Sequence, residues 1–412
     1  MEHSLQVRIL KELFSQIDEK RNADAGRILK NPASAYVDPD IARQEWEQFF
    51  RGHPQIIGLT GDLPAAGSFF TVDDFGVPVL ATRDREGKFR AFLNACRHRG
   101  VRLEEESRGK RRRFTCPFHG WTYDQSGALT AIPEAHDFGE IDKSCHSLIE
   151  LPAVERHNVL WVHPDPAGAL DVVDLLGPLE PELGQWDFSD MTFMGESLIE
   201  KDLNWKFAND TFGETYHFSR LHRNTLANIF VSDRLSFEEM GKNHRFVFAN
   251  QRIHKVRQKP EAEWNITHGA AVLYYMFPNV HIGVGRGTID LIKIYPDATN
   301  PMRSVTRIGH YFSQSLLDLK QEKEAETGVK VTADNIYDPD ARAGALPDVE
   351  GAAAIFDSTV EHEDYRMGET TQQSIRTGLI DHLIFGRNEP ALHHFHTTFR
   401  EELGLPPMEV LQ

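Results

Sequence analysis

The segment CRHRGVRLEEESRGKRRRFTCPFHGW, running from Cys96 to Trp121, decides how the first half of this 412-residue chain folds. It opens on Cys96-Arg97-His98 and closes on Cys116-Pro117-Phe118-His119, with residues 99–115 between the two pairs. A CxH pair followed by a CxxH pair offers two thiolates and two imidazoles. That set suits either one tetrahedral zinc or a two-iron cluster with two ligands on each iron. Outward from the segment the texture is that of short strands: SFFTVDDFG (68–76), VPVLATRD (77–84), KFRAFLNAC (88–96) and NVLWVHPD (158–165) are apolar or alternating runs broken by turn residues. The two pairs therefore sit on loops of an all-β module spanning 53–165.

Residues 1–52 read as helical. Leu5, Ile9, Leu10, Leu13, Phe14 and Ile17 fall on one helix face, and IARQEWEQFF (41–50) follows a helix-start signal at Asp38-Pro39-Asp40. The segment is expected to pack on the domain formed by 166–412. DVVDLLGPLEPELGQWDFSD (171–190) reads as a connector. Beyond it, FMGESLIEKDLNWKFAND (193–210) predicts a strand leading into a helix. The runs 243–256, 270–296 and 303–315 predict strands of an antiparallel sheet, and Gly351 to Leu379 one long helix. The class is α+β. Gly283-Val284-Gly285-Arg286-Gly287 superficially resembles a dinucleotide loop but lacks the strand–loop–helix setting.

The formal net charge is −17, from 62 acidic and 45 basic residues, which argues against nucleic acid as a partner. One basic run interrupts it, Arg108 with Lys110, Arg111, Arg112 and Arg113. It is either a solvated hairpin end or a docking patch for an acidic electron donor. No apolar run approaches the roughly 18 residues of a membrane span. Of the three cysteines, the two pairs use two and leave Cys145. No disulfide framework follows, and a reducing cytoplasmic setting is expected.

A second set of ligands lies in the stretch from Asn204-Trp205-Lys206 to Leu221-His222. His217 and His222 are five residues apart, about 140° around a straight helix, so their rings converge only if the helix bends or ends between them. Asp210, Glu214 and His217 would share one helix face. Phe212, Phe218, Leu221, Leu226, Ile229 and Phe230 flank this stretch and either line an apolar pocket or pack in the core.

The two Cys/His loops resemble those of Rieske proteins. Together with Asn-Trp-Lys followed by Tyr216-His217 and His222, they give most of the chain a resemblance to Rieske non-haem iron oxygenases, the aromatic ring-hydroxylating dioxygenase α subunits and their monooxygenase relatives. The resemblance implies one 2Fe-2S cluster per chain on Cys96, His98, Cys116 and His119. It also implies one mononuclear Fe(II) held by His217, His222 and a carboxylate from a late helix. Glu363-Asp364, with Glu369 and Gln372 after it, matches that helix and puts the ligand at Asp364; Asp357 is the competitor. It further implies a catalytic domain of helix-grip, START-like build.

By the same resemblance, Glu214 would link His119 of a neighbouring chain to His217 and pass electrons between subunits. Asp210 is a further candidate without an assigned role. Two departures stand out: many members have Asp where this chain has Glu214, and an acidic-Asn pair where it has Asp210-Thr211. The implied partners are a reductase with or without a ferredoxin, O₂, and a small apolar or aromatic substrate. The implied assembly is a homotrimer or an α₃β₃ complex with a small β subunit. Phe212-Gly213 before Glu214 favours ring dihydroxylation, as in aromatic hydrocarbon catabolism. The alternatives are a monooxygenase performing O- or N-dealkylation or amine oxidation and, more remotely, an electron carrier without an active iron site. His393, His394 and His396 are expected to pack rather than ligate.

Overall fold

The structure, a computed structural model, describes residues 1–328 and 357–411. They form two compact units, one of Met1–Gln44, Leu175–Trp186 and Phe193–Gln412, the other of Glu45–Asp174 and Asp187–Thr192.

The second unit is the all-β module. A five-stranded antiparallel sheet runs Glu150–Leu151, Phe89–Leu93, Val79–Arg83, Ser68–Val72, Arg108–Lys110, and two three-stranded sheets complete it. The predicted runs become strands because their alternate residues bury against one core. Phe69, Leu80, Phe92, Phe114, Trp121 and Tyr123 pack there around Cys96 and Cys116.

The other unit is built on one seven-stranded antiparallel sheet. Its elements are α1 (His3–Glu19), β1 (Met191–Lys201), α2 (Trp205–Asp210), β2 (Phe230–Met240), β3 (Asn243–Asn250), β4 (Ala270–Met276), β5 (Val280–Val284), β6 (Thr288–Pro296), β7 (Ser304–Ser313), α3 (Tyr365–Ile375) and α4 (Pro390–Glu402). Strand order is β1-β7-β6-β5-β4-β3-β2, so the chain leaves from one edge, crosses to the other and returns strand by strand. Strands β4 to β6 are apolar almost throughout because both of their faces are covered. The α+β expectation holds. The GVGRG stretch is the β5–β6 turn, closed by Gly285 N–H donating to Thr288 O at 2.9 Å.

On α1, the predicted stripe buries Ile9, Leu10, Leu13 and Phe14. Gln16 on the same helix reaches a break in the β2–β3 register between Phe230 and Leu235. Its amide donates to Leu235 O at 2.7 Å and accepts from Leu235 N–H at 3.0 Å, satisfying backbone groups that the irregular ladder leaves over. The His-rich stretch lies on α4 and packs: His394 pairs with His244 at 3.0 Å, and His393 faces Phe385 O at 3.3 Å.

Three readings are corrected. The helical reading of 1–52 fails at Leu29–Pro32, a strand that pairs antiparallel with His382–Phe385. The helix expected to carry Asp210, Glu214 and His217 on one face ends at Asp210 and is followed by turns and one short helical turn at Tyr216–Ser219. Thr211 Oγ1 takes the Ala208 carbonyl at 2.8 Å, and Gly213 N–H closes on Asp210 O at 3.0 Å, so the ladder does not continue. The helix drawn from 351 to 379 begins, within the described residues, as a wide turn over Asp357–Asp364 and ends as α3 at Ile375; residues 351–356 lie outside them. Among the described residues no helix is long and apolar enough to cross a membrane.

Candidate active site

The two Cys/His loops are copies of one backbone design. Cys96 N–H donates to Val101 O and Gly100 N–H to Cys96 O, both at 2.8 Å; Cys116 N–H donates to Trp121 O at 2.8 Å and Gly120 N–H to Cys116 O at 3.0 Å. Each loop turns through a glycine with φ +73°, a conformation that a side chain would strain. The thiols are buried and unbridged, whereas His119 and its neighbour Phe118 are exposed. His98 lies edge-on to His119 with ring centroids 4.7 Å apart and stacks on Trp121 at 5.1 Å. Tyr123 hydroxyl lies 3.4 Å from Cys96 Sγ, a contact suited to a thiolate. Burial pushes the Cys96 thiol up, so its ionised form calls for a cation at the sulfur.

Among the described residues, His217, His222 and Asp364 are the group of three whose ligand atoms lie within 4.8 Å of one another. The two cysteines and two histidines do not meet this condition. They fit a pair of irons with two ligands each better than one tetrahedral zinc, whose ligand atoms crowd within about 4 Å. The basic run beside them is partly spent internally. Arg108 pairs with Asp62 at 3.0 Å and Arg111 with Glu106 at 2.8 Å, while Lys110, Arg112 and Arg113 are exposed.

The three-residue group is assembled by the broken helix and the wide turn. Ending α2 at Asp210 frees the chain to bring the His217 and His222 rings to a centroid distance of 4.8 Å. The wide turn before α3 places Asp364 Oδ1 at 3.2 Å from His217 Nε2 and 3.0 Å from His222 Nε2. Wide helical turns of this kind favour such sites. Asp357 falls outside the residues whose side chains are described.

Behind each imidazole stands a carboxylate. His217 Nδ1 meets Glu214, and His222 Nδ1 donates to Glu363 Oε2 at 2.7 Å. These partners fix the proton on Nδ1 and turn both Nε2 lone pairs toward Asp364. His222 Nε2 is buried and faces only the Asp364 carboxylate, as a metal ligand sharing an ion with it should. Burial disfavours charge on His217, but Asp364 and Glu214 outweigh it and raise its pKa to about 10. Burial alone would raise Asp364; the two histidines hold it low. The site therefore demands positive charge, which Fe(II) supplies.

Two supports come from distant sequence. Gln372 Oε1 accepts from Asn204 N–H at 2.6 Å, and its amide donates to Asp202 O at 2.9 Å, tying α3 to the start of α2. Asn204 Oδ1 caps α2 by accepting from Lys206 N–H at 3.0 Å. Asp210 and Glu214 do not share a helix face. Asp210 accepts from Tyr36 hydroxyl at 2.7 Å and pairs with His396 Nε2 at 2.8 Å, whereas Glu214 turns to His217. Sequence reasoning gave Glu363 no role. Its only signal was its place next to Asp364.

The triad opens onto a cavity of about 330 Å³ with walls of Phe212, Phe218, Phe230, Phe246 and Phe248 among other apolar residues. Phe212, Phe218, Leu226, Ile229 and Phe230 from the predicted set line it; Leu221 does not.

A small β module carrying a paired Cys/His site, in one chain with a sheet domain holding two histidines and a carboxylate over an apolar cavity, defines a non-haem iron oxygenase. Comparison with known proteins gives the family. Residues 53–149 match the Rieske 2Fe-2S domain, and residues 188–327 and 324–404 match the ring hydroxylating alpha subunit (catalytic domain). The chain belongs to the Rieske non-haem iron oxygenases: it is an oxidoreductase, the terminal oxygenase component, with a 2Fe-2S cluster and a mononuclear iron.

It is 26% identical over 360 residues to the glycine betaine monooxygenase oxygenase subunit of Chromohalobacter salexigens, covering 84% of this chain and 79% of that one. It is 29% identical over 245 residues to the benzene 1,2-dioxygenase subunit alpha of Pseudomonas putida, covering 56% and 53%. The solved structure of the quaternary ammonium Rieske monooxygenase CntA with L-carnitine shares the fold, with TM-score 0.71, 17% identity and coverage of 92% and 96%.

Proposed function

We propose that this oxygenase inserts one oxygen atom into a C–H bond beside nitrogen, releasing the alkyl group as an aldehyde. The observation that carries oxygenation at this site is the His217, His222 and Asp364 wedge opening directly into the apolar cavity. The choice of N-dealkylation over ring dihydroxylation rests on a relative that aligns along most of the chain, a glycine betaine monooxygenase subunit.

Fe(II) on these three residues supplies O₂ activation when bound. Glu214 and Glu363 hold the Nδ1 protons of His217 and His222 and keep both rings aimed. The phenylalanine walls exclude water from the reacting C–H bond. Cys96, His98, Cys116 and His119 hold the cluster, and Glu214 receives electrons from His119 of a neighbouring chain. A separate reductase, with or without a ferredoxin, supplies two electrons per turnover, and two protons are taken up from solvent. One oxygen atom of O₂ enters the substrate and the other leaves as water. The assembly is a homotrimer, with α₃β₃ as the variant carrying a small subunit.

Ring dihydroxylation is the second reading, favoured by Phe212-Gly213 before Glu214 and by the aromatic cavity walls. The reconstituted enzyme, with reductase and ¹⁸O₂, is given N,N-dimethylbenzylamine and, separately, naphthalene. Formaldehyde matching amine consumption, without diol, is expected. A cis-diol carrying two ¹⁸O atoms, with no formaldehyde, overturns the proposal.

A further inference from the structure

We infer that Asp290 recognises the substrate and that the substrate is an organic cation, a protonated or quaternary ammonium with apolar substituents and no carboxylate. The inference rests on the proposed function in taking this cavity as the substrate site.

The register of β6 presents Thr288, Asp290 and Ile292 to the cavity and turns Ile289 and Leu291 away. Among the described residues that line it, none is Lys or Arg. Its carboxylates are Glu214, Asp364 and Asp290. Glu214 is taken by His217, and Asp364 lies between the two iron-site histidines. Asp290 remains. Its Oδ1 accepts from His310 Nδ1–H at 2.8 Å, which orients the carboxylate, and Oδ2 takes no hydrogen bond among the described residues. The side chain is 27% exposed on an otherwise apolar wall. A carboxylate held half-open in such a place costs desolvation energy that a bound cation offsets.

The neighbouring strand leaves it uncovered. Asp290 faces His310 on β7 and Gly283 on β5, and a Cβ at Gly283 would stand 3.7 Å from Asp290 Cβ, in ordinary contact. Glycine there keeps space open beside the carboxylate without any backbone strain that requires it.

The remaining wall suits a cation's apolar surface. Phe230 and Phe248 rings lie 4.9 Å apart, and Phe218 joins them at 6.0 Å from each, tilted or edge-on to one another, an aromatic cluster of the kind that attracts alkylammonium groups. Away from the iron-site histidines, an anionic group would meet the Asp290 carboxylate and, among the described lining residues, no lysine or arginine. Glycine betaine and L-carnitine, named for relatives, each carry a carboxylate; the described lining offers that carboxylate no lysine or arginine.

The test compares benzyltrimethylammonium with its uncharged isostere neopentylbenzene, binding each to the iron-loaded holoenzyme by calorimetry, with no turnover needed. Wild-type enzyme is expected to prefer the cation by about tenfold or more. Asp290→Asn is expected to lose that preference while keeping affinity for the neutral probe. Equal or better binding of the neutral probe by wild type overturns the inference, as does failure of the cation to bind at millimolar concentration. Equal weakening of both probes by Asp290→Asn also overturns it. The wild-type comparison needs no variant, so misfolding of Asp290→Asn leaves the test intact. A cation preference without dealkylation supports the inference and removes the proposed function. Dealkylation without a cation preference does the reverse.

Discussion

At the scale of single residues, the iron site depends on two glutamates that do the same geometric job from different places. Glu214 and Glu363 each accept from the Nδ1 of an iron-site histidine, yet different consequences are expected from their loss. Glu214→Gln keeps an acceptor for His217, so ligation survives while the proposed relay is broken. Both metals should load fully, and oxygenation coupled to donor oxidation should fall by about tenfold or more. Full steady-state activity in a metal-replete Glu214→Gln enzyme would sink the relay. Glu363→Ala instead leaves His222 without its anchor, and iron affinity should drop by about 10–100-fold while the cluster spectrum is unchanged. Competitive iron chelation followed by electronic spectroscopy reads both. Their legibility in the sequence differs for a physical reason. His217, His222 and Glu214 lie within nine residues and carry a recognisable pattern. Glu363 earns its role only because a wide turn aims it at a histidine 141 residues away. Spacing alone does not encode that aim.

At the scale of elements, the decisive event is a helix that stops. Trp205–Asp210 carries helix-forming residues, and periodicity alone extends it to His222. What ends it is partly local, Thr211 diverting a carbonyl, and partly tertiary: Gly213 lies against α4 so closely that a Cβ would approach Leu392 Cδ2 to 2.5 Å. Gly213→Ala should therefore push α4 and the ligand loop apart. A loss of about 1–3 kcal/mol in stability is expected, with reduced iron occupancy and an intact cluster. Denaturant unfolding and iron content check it; wild-type stability with full iron would show that the contact relaxes freely. Most strands, by contrast, are legible as runs, because alternation and turn residues are local signals, but β2 and the strand Leu29–Pro32 are not. Tyr36 and His396 were not, since they meet Asp210 across 174 and 186 residues of chain. Only the folded sheet brings α4 and the N-terminal segment to the end of α2.

At the scale of the whole molecule, each unit has its own core, and the cluster loops leave His119 exposed at the surface. The proposed circuit runs between chains, and two crippled enzymes can test it together. His98→Ala/His119→Ala removes cluster ligands while sparing the buried cysteines that belong to the core. His217→Ala/His222→Ala removes the iron site. Each protein alone should be inactive. In rings assembled at random from the two, a site works when its own chain has iron and its donor neighbour has a cluster. The chance is one half for each requirement, so co-expression should restore about a quarter of wild-type activity. Electron flow confined within a chain predicts none, because no chain then carries both centres. Glu214→Gln sharpens the result. Placed on the chain that lost its cluster, it should abolish the rescue, since that chain's iron site is the one in use. Placed on the chain that lost its iron, it should change nothing. Rescue that is blind to which chain carries Glu214→Gln would leave inter-chain transfer in place and remove Glu214 from its path.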